Sequence, residues 1–379
     1  MKTYLMLKKI LYKIWVIATI ALAIVYIIQS FSPYVSEADH PLYIILSLGY
    51  LFILVAFILV ALSWLFIKRR IFLVLFILFF AGYKNFRSSV GISIPTSFKM
   101  EKDTNTLRIM SWNVREFNNT PDYDNNSIKS TNSIIALLNA DIVCLQDVID
   151  NPNFIKLDKN SAMLYQNNYN YRTEMFFLRT FGLYPEYYTN YGLKFISKYP
   201  ILNSGKILVP GNNPFPEYLG FIDIVFKNKP VRIYTTHLKS MALWPGEKSK
   251  SGANYFKGDS TLYKLKKTYN KLVEFKKIHT QQAEFIKAEL NKSQYPIVFC
   301  GDLNSVPTSY VYQHLKKGLN DVFIEKGLGI DGTYNRIFPK QRIDVMLTDK
   351  AFTIKQYKRF VIDKTLSDHY PIVADIAFE

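Results

Sequence analysis

Leu42 to Ile67, LYIILSLGYLFILVAFILVALSWLFI, is a run of 26 residues without one charge. A helix that crosses a bilayer needs roughly 20 consecutive apolar residues, so this stretch reads as a membrane span. Two further runs flank it. Ile14 to Ser30 is uncharged and follows Lys2, Lys8, Lys9 and Lys13, whereas Ile71 to Tyr83 offers only 13 uncharged residues. The latter makes about 20 Å of helix against about 30 Å of hydrocarbon. It crosses if Lys84 and Arg87 snorkel to the headgroups, and otherwise lies in the interface. The expectation is a membrane anchor over residues 1–95, with three transmembrane helices at about 10–30, 42–67 and 71–88. A separate globular part follows over residues 96–379, joined through a short link from about Ser89 to Lys102. A cleavable signal peptide is the weaker reading of the first run, because a longer apolar span follows and no small-x-small site does.

Loop charges orient the anchor. The amino terminus and the Lys68-Arg69-Arg70 loop are basic, while the loop between the first two spans has Glu37 and Asp39 and neither Lys nor Arg. Basic ends stay in the cytoplasm, so three spans put residues 96–379 outside it. The expected localisation is therefore an integral protein of a bacterial-type inner membrane, with its globular part outside the cytoplasm. The formal net charge is +17, and residues 1–100 contribute ten basic and two acidic side chains to it. The remaining excess suits an anionic partner, though a solvated basic surface accounts for it equally. Cys144 and Cys300 both sit inside apolar runs, where free thiols behave as small hydrophobes; no disulfide framework is expected.

Residues 101–379 contain no repeat. They consist of short apolar runs rich in β-branched residues, among them LRIMSWNV, DIVCLQDV, GLKFISKYP, GFIDIVF, VRIYTTHL, PIVFCGDLN, RIDVMLT and YPIVADIAF. Each reads as a strand. Helical periodicity appears at Ser127 to Asn139 and at Lys264 to Lys292, and both helices would pack on sheet faces. Polar residues recur where the strands end. SWN at 111–113, LQD at 145–147, THL at 236–238, GDLN at 301–304, RID at 342–344 and SDH at 367–369 all close apolar runs. Residues i and i+2 of a strand point to one side, so Asp302 and Asn304 offer a carboxylate and an amide to the same point. Any one of these ends alone is a turn or a cap; six of them together are a site. The set holds Asp147, Asp302, Asp344, Asp368, Asn113, Asn304, His237 and His369, with no pattern for a covalent Ser or Cys nucleophile. Oxygen donors of this kind suit Mg²⁺ or Mn²⁺, and no His or Cys pair stands at zinc spacing.

The order GDLN, RID, SDHYPI, preceded by SWN and LQD, resembles the endonuclease/exonuclease/phosphatase superfamily, whose members have the DNase I-like fold. The resemblance covers about Leu107 to Phe378. It implies a four-layer α/β/β/α sandwich following the transmembrane helices, with 96–379 as the catalytic domain. It also implies hydrolysis of a phosphoester by in-line attack of water, with a divalent metal. By position, Asn113 and Asp147 would hold the metal and the phosphate oxygen it bridges, and Asp368 would support metal binding. Asp302 and Asn304 would orient or deprotonate the attacking water, with Asn304 also gripping the phosphate. Asp344 would hydrogen-bond His369 and fix its tautomer, and His369 would contact the phosphoryl group or act as base. His237 would protonate or stabilise the leaving oxygen. Where the superfamily has LQE, this chain has Leu145-Gln146-Asp147, a carboxylate one methylene shorter. His40, His279 and His314 stand in no motif and receive no role.

The substrate is less determined. Ser161 to Tyr191 is dense in Tyr and Phe, and Met241 to Lys277 holds nine lysines to three acids. Such stretches fit a bilayer surface, a nucleic acid, or a packed lid with a solvated lysine face. Tethering ranks a membrane-proximal phosphoester, such as a lipid phosphate, above DNA or RNA. A degenerate module that binds phosphorylated groups without hydrolysing them is the rival of another class. The partners expected are the phosphoester and the lipid bilayer, and no protein partner is inferred.

Overall fold

The computed structural model describes residues 1–94, 97–118, 125–150, 169–181, 184–211, 216–240 and 261–379. Its amino-terminal part is helical: α1 (Lys2–Ser30), α2 (Leu42–Leu48), α3 (Tyr50–Ile67), α4 (Arg69–Phe79), one 3-10 turn (Phe80–Gly82) and α5 (Tyr83–Ser89). Three stretches, Thr3–Ser30, Tyr50–Ile67 and Arg69–Ser89, are long and apolar enough to cross a membrane. The first begins before residue 10 because its lysines, leucines and methionines are good helix formers. The expected 42–67 helix is divided at Gly49, which separates α2 from α3. The third reaches 21 residues by recruiting charged residues at both ends, Arg69 and Arg70 as well as Lys84 and Arg87. That makes about 31 Å, enough for the hydrocarbon layer.

These helices share a small core around Tyr26, Tyr50, Phe57 and Trp64. Tyr26 stacks on Phe57 at 4.1 Å between centroids and donates to the Phe79 carbonyl at 2.9 Å. The contact requires a glycine: a Cβ on Gly82 would lie 2.4 Å from the Tyr26 hydroxyl. Outward faces carry exposed large apolar side chains, such as Phe66 and Ile77, which hydrocarbon would cover where water would not.

Beyond the helices the chain forms fourteen strands among the described residues: β1 (Gly91–Ile92), β2 (Leu107–Asn113), β3 (Ile142–Asp150), β4 (Tyr171–Phe181), β5 (Tyr184–Ser197), β6 (Asn203–Leu208) and β7 (Tyr218–Phe226), then β8 (Lys229–His237), β9 (Ile297–Asp302), β10 (Asn320–Asp321), β11 (Leu328–Gly329), β12 (Asp344–Thr348), β13 (Phe352–Arg359) and β14 (Ile372–Phe378). Two six-stranded mixed sheets result, ordered β13-β14-β2-β3-β5-β4 and β10-β12-β9-β8-β7-β6. The central strands β2, β9 and β14 are near-continuous apolar runs because they are covered on both faces, whereas the edge strands β6 and β13 are partly exposed. In β9, Val298 and Cys300 enter the core between the sheets, while Ile297 and Phe299 face outward against the long helix Thr261–Leu290 through Ala283, Ile286 and Leu290. In β2, Leu107 and Ile109 face the other sheet, while Met110 and Trp112 face the helix Asn125–Leu138 through Ile135 and Leu138. The period-2 alternation thus builds the four-layer α/β/β/α sandwich of the DNase I-like fold. Cys144 and Cys300 are free, buried thiols, and burial pushes the Cys144 thiol up.

The stretch from Ser89 to Lys102 differs from the expected link. Two residues after α5 ends, β1 pairs antiparallel with β11, and Ser93 donates from its amide to the Gly327 carbonyl at 3.1 Å. Lys99 and Met100 are then fastened by Arg108. This fully buried guanidinium forks onto Asp375 at 2.7 and 2.9 Å and donates to the carbonyls of Met100 and Lys99 at 2.7 and 2.9 Å. Replacing Arg108 with Met strands a buried carboxylate, and a loss of about 3–5 kcal/mol is expected in denaturant unfolding. The double replacement Arg108→Met with Asp375→Met is expected to recover most of that loss.

Candidate active site

Strand register alone brings three of the motif residues together. β8 and β9 run parallel with His237 opposite Asp302, and β9 pairs antiparallel with β12 so that Asp302 lies opposite Asp344. His237, Asp302 and Asp344 therefore stand in one row across three strands. In the facing sheet, β2 and β3 run parallel with Asn113 opposite Gln146, and β14 pairs with β2 so that the SDH turn before it arrives beside Asn113. The two sheets meet at this edge. Asn113 Nδ2 donates to Asp302 Oδ2 at 2.9 Å, and the Ser367 hydroxyl donates to the Asn113 carbonyl at 2.8 Å.

His369 is held on several sides. Its Nδ1 lies 2.9 Å from Asp344 Oδ2, its carbonyl accepts from Trp112 Nε1 at 3.1 Å, and its amide donates to Ser367 Oγ at 3.0 Å. The Tyr334 ring packs on the imidazole at 4.9 Å between centroids. With Nδ1 committed to Asp344, Nε2 faces Asp302 Oδ2 at 3.7 Å, and His237 Nε2 approaches the same oxygen at 3.6 Å. Burial opposes charge on His369, yet Asp344, Asp302 and Asp368 outweigh it and push its pKa up to about 10. In the absence of a metal the ring carries its second proton toward Asp302. Asp302 is itself raised above the usual carboxylate range by burial and by Asp344, against the pull of His369 and His237.

Local backbone explains two residue choices. Asn304 has φ 45° and Asp147 has φ 55°, in the left-handed region that Asn and Asp tolerate better than longer side chains. Asn304 donates from Nδ2 to the Leu238 carbonyl at 2.9 Å, and its amide donates to Asp302 Oδ1 at 2.8 Å. Asp147 sits in the bulge between Leu145 and Val148, where the β3–β5 register shifts, so the shortened LQD has a backbone reason as well as a chemical consequence. Arg115 and Glu116 also have positive φ. Among the described residues, four of the seven positive-φ residues other than glycine thus stand in or beside the motif segments, where backbone strain tends to collect.

Asp302, Asp344 and His369 are buried, and their ligand atoms lie within 4.8 Å of one another. Two carboxylates and an imidazole fit a divalent metal, and the raised Asp302 carboxyl marks a place where added positive charge would be favourable. Asn113 touches this group through Asp302. Asp368 is turned toward Arg115 and Arg336, with its Oδ2 3.3 and 3.4 Å from their Nε atoms. The Asp147 carboxylate lies outside the group and accepts from the Tyr191 hydroxyl.

Several supporting residues had no assigned role in the sequence. Gln146 Nε2 donates to Ser111 Oγ at 3.0 Å and to Thr235 Oγ1 at 2.8 Å, joining the sheets beneath the site. Thr333 Oγ1 accepts from the amides of Ile343 and Asp344. Gln146 and Ser367 lay within the quoted LQD and SDH motifs; Arg115, Tyr334 and Arg336 carried no local signal. Of the two stretches read as specificity insertions, residues 161–168, 182–183 and 241–260 lie outside the described residues.

The endonuclease/exonuclease/phosphatase family model matches residues 110–369. This chain belongs to that family. The matched residues include the GDLN, RID and SDH segments that supply Asp302, Asp344 and His369. Residues 9–89 match a domain of unknown function, DUF8431, and no curated protein matches the sequence. Among solved structures, a family protein from Beutenbergia cavernae is 19% identical, with TM-score 0.52 over 72% of each chain. A second, from Bacteroides vulgatus, is 18% identical, with TM-score 0.51 over 72% of this chain and 99% of that one. A mannosyl-6-phosphatase from Bacteroides thetaiotaomicron is 15% identical, with TM-score 0.48 over 72% of this chain and 100% of that one.

If the Asp302 group holds a divalent metal, Mn²⁺ should raise the melting temperature of the full chain by several degrees. Asp302→Asn is expected to abolish that shift, and a shift of the same size in the variant would place the metal elsewhere.

Proposed function

We propose that this chain is a membrane-anchored, divalent-metal-dependent phosphoester hydrolase acting on a phosphoester at the membrane surface, of which a lipid phosphate is the leading candidate. The observation that carries the hydrolytic reading is the buried Asp302–Asp344–His369 group at the meeting edge of the two sheets, with His237 and Asn113 against it. Asp302 would hold the metal, with Asn113 and Asp147 as the further ligands that the family motif nominates, while Asp344 behind the imidazole leaves His369 Nε2 to the substrate. A bound Mg²⁺ or Mn²⁺ would supply positive charge to a phosphate oxygen and lower the pKa of water.

The chain's own residues do the rest. Asp344 fixes the His369 tautomer through Nδ1, so that Nε2 presents its proton to a phosphate oxygen. Asp302, held at Oδ1 by the Asn304 amide, keeps Oδ2 turned inward to align the attacking water. His237 approaches from the neighbouring strand and is placed to stabilise or protonate the leaving oxygen. Arg115 and Arg336, partners of Asp368 at the edge of the site, add positive charge for the phosphate. Fixed donors of this kind, aimed where charge develops, are usually the largest contribution to phosphoryl transfer.

A membrane-proximal substrate is supported by where the anchor touches the domain. Ser32, in the loop after α1, donates to the Thr308 carbonyl at 2.8 Å, six residues after Asp302. That contact supports a loop between the first two spans lying on the same side as the domain, which agrees with the loop charges for a domain outside the cytoplasm.

The deciding experiment uses the full chain in lipid nanodiscs with Mn²⁺, comparing release from a phospholipid, an isoprenyl phosphate and plasmid DNA. Turnover of a lipid phosphate is expected, with a loss of at least 100-fold in Asp344→Asn at unchanged melting temperature. DNA degradation without lipid turnover would make the chain a nuclease. Binding of phosphorylated ligands with no turnover of any of the three would make it a degenerate module. In the same assay Asp147→Ala should raise the Mn²⁺ concentration for half-maximal rate at least tenfold if Asp147 shares in holding the metal.

A further inference from the structure

Glu37, from the acidic loop between the first two spans, is fully buried against Lys276 of the long helix Thr261–Leu290, itself 1% exposed, with Oε2 3.0 Å from Nζ. A buried ion pair between an anchor and an attached domain has a desolvation cost that a mere tether would have no reason to incur. Lys276 continues inward. Its Nζ donates to Ser305 Oγ at 3.1 Å, and Ser305 Oγ lies 3.3 Å from His279 Nδ1. His279 Nε2 is 2.6 Å from the Lys239 carbonyl, which can only accept, so Nε2 carries the proton and Nδ1 accepts from Ser305. Burial lowers the His279 pKa to about 3, which keeps the ring neutral.

This chain of contacts ends on the two segments that matter for the chemistry proposed above. Ser305 follows Asn304 directly, and Lys239 lies two residues after His237. The same loop is fixed at its far end, where Thr308 accepts from Ser32 through its carbonyl and donates from Oγ1 to the Ser47 carbonyl at 2.9 Å. Ser32 is braced in turn by Gln29 and Asn85. A second attachment reaches the RID segment: buried Arg342, two residues before Asp344, donates to the Ser88 carbonyl at the end of α5 at 2.6 Å and to Asp321 at 2.7 Å.

We infer that the helical anchor is a working part of the active site: Glu37 and Lys276 are positioning residues that, through Ser305, hold the loop from Leu303 to Ser309 and with it the orientation of Asp302 and Asn304. The catalytic consequence rests on the hydrolase reading, whereas the mechanical one does not. Neither Glu37 nor Lys276 touches the reacting atoms; both act through Ser305.

The test uses the full chain in nanodiscs and two variants. Ser305→Ala removes the end of the network and leaves the ion pair. Glu37→Gln combined with Lys276→Met removes the pair without leaving a lone buried charge, and so guards against simple unfolding. Hydrogen exchange is followed at the amides of Leu303 to Ser309 and, as the internal reference, in β9. Turnover of a soluble nitrophenyl phosphodiester gives kcat and KM. Both variants are expected to raise loop exchange at least tenfold with β9 unchanged, and to lower kcat at least tenfold with KM within twofold. Loop exchange within threefold of the parent in both variants overturns the proposal whatever the turnover does. Raised exchange with kcat within twofold also overturns it, since the loop would then be held to no catalytic purpose. If the parent chain itself lacks metal-dependent turnover, the hydrolase reading fails alone, and exchange still decides whether the anchor holds the loop.

Discussion

The pairing of β8 and β12 on either side of β9 is the constraint from which the site follows. Parallel register with β8 sets His237 beside Asp302, and antiparallel register with β12 sets Asp344 on the other side. A slip of one residue in either pairing would turn a whole strand inside out, moving Val298 and Cys300 from the inter-sheet core to the outer face. The hydrophobic pattern that secures the core therefore also secures the chemistry. The other sheet contributes by closing on this row, with Asn113 reaching Asp302 and the Ser367 turn carrying His369 over it.

Much of this was legible beforehand because strands report their own ends. Short apolar runs that end in polar residues placed Asp302, His237 and Asn113 at strand termini, and the family resemblance carried by the order of the motifs implied the sandwich. What sequence could not give was partnership. Asp368 reads in SDHYPI as a support for metal binding, yet two arginines from separate segments, Arg115 and Arg336, flank it. Asp147 reads as a short substitute for Glu, and only the bulge and its left-handed backbone show why Asp suits the position. His279 had no motif because its partners, Ser305 and the Lys239 carbonyl, are remote in sequence and one of them is backbone.

The anchor shows the same division. Length and charge located three apolar runs, and the structure makes all three long enough to span. Their polar residues carried no such signal. Gln29, Ser32, Glu37, Ser47, Asn85 and Ser88 are each buried, in the anchor's own polar network or against the domain. Burial of that many polar groups is tolerated only where partners exist. Here the partners are Thr308 and Arg342, beside the segments that carry Asp302, Asn304 and Asp344, and Lys276 of the long helix Thr261–Leu290.

The antiparallel pairing of Gly91–Ile92 with Leu328–Gly329, begun two residues after the last helix, leaves the junction almost no slack. An enzyme on a long flexible stalk can sweep a volume and capture targets from solution. A domain fastened like this is held at a fixed height and tilt relative to the apolar helices, so that for the membrane-surface substrate proposed above encounter becomes a two-dimensional search.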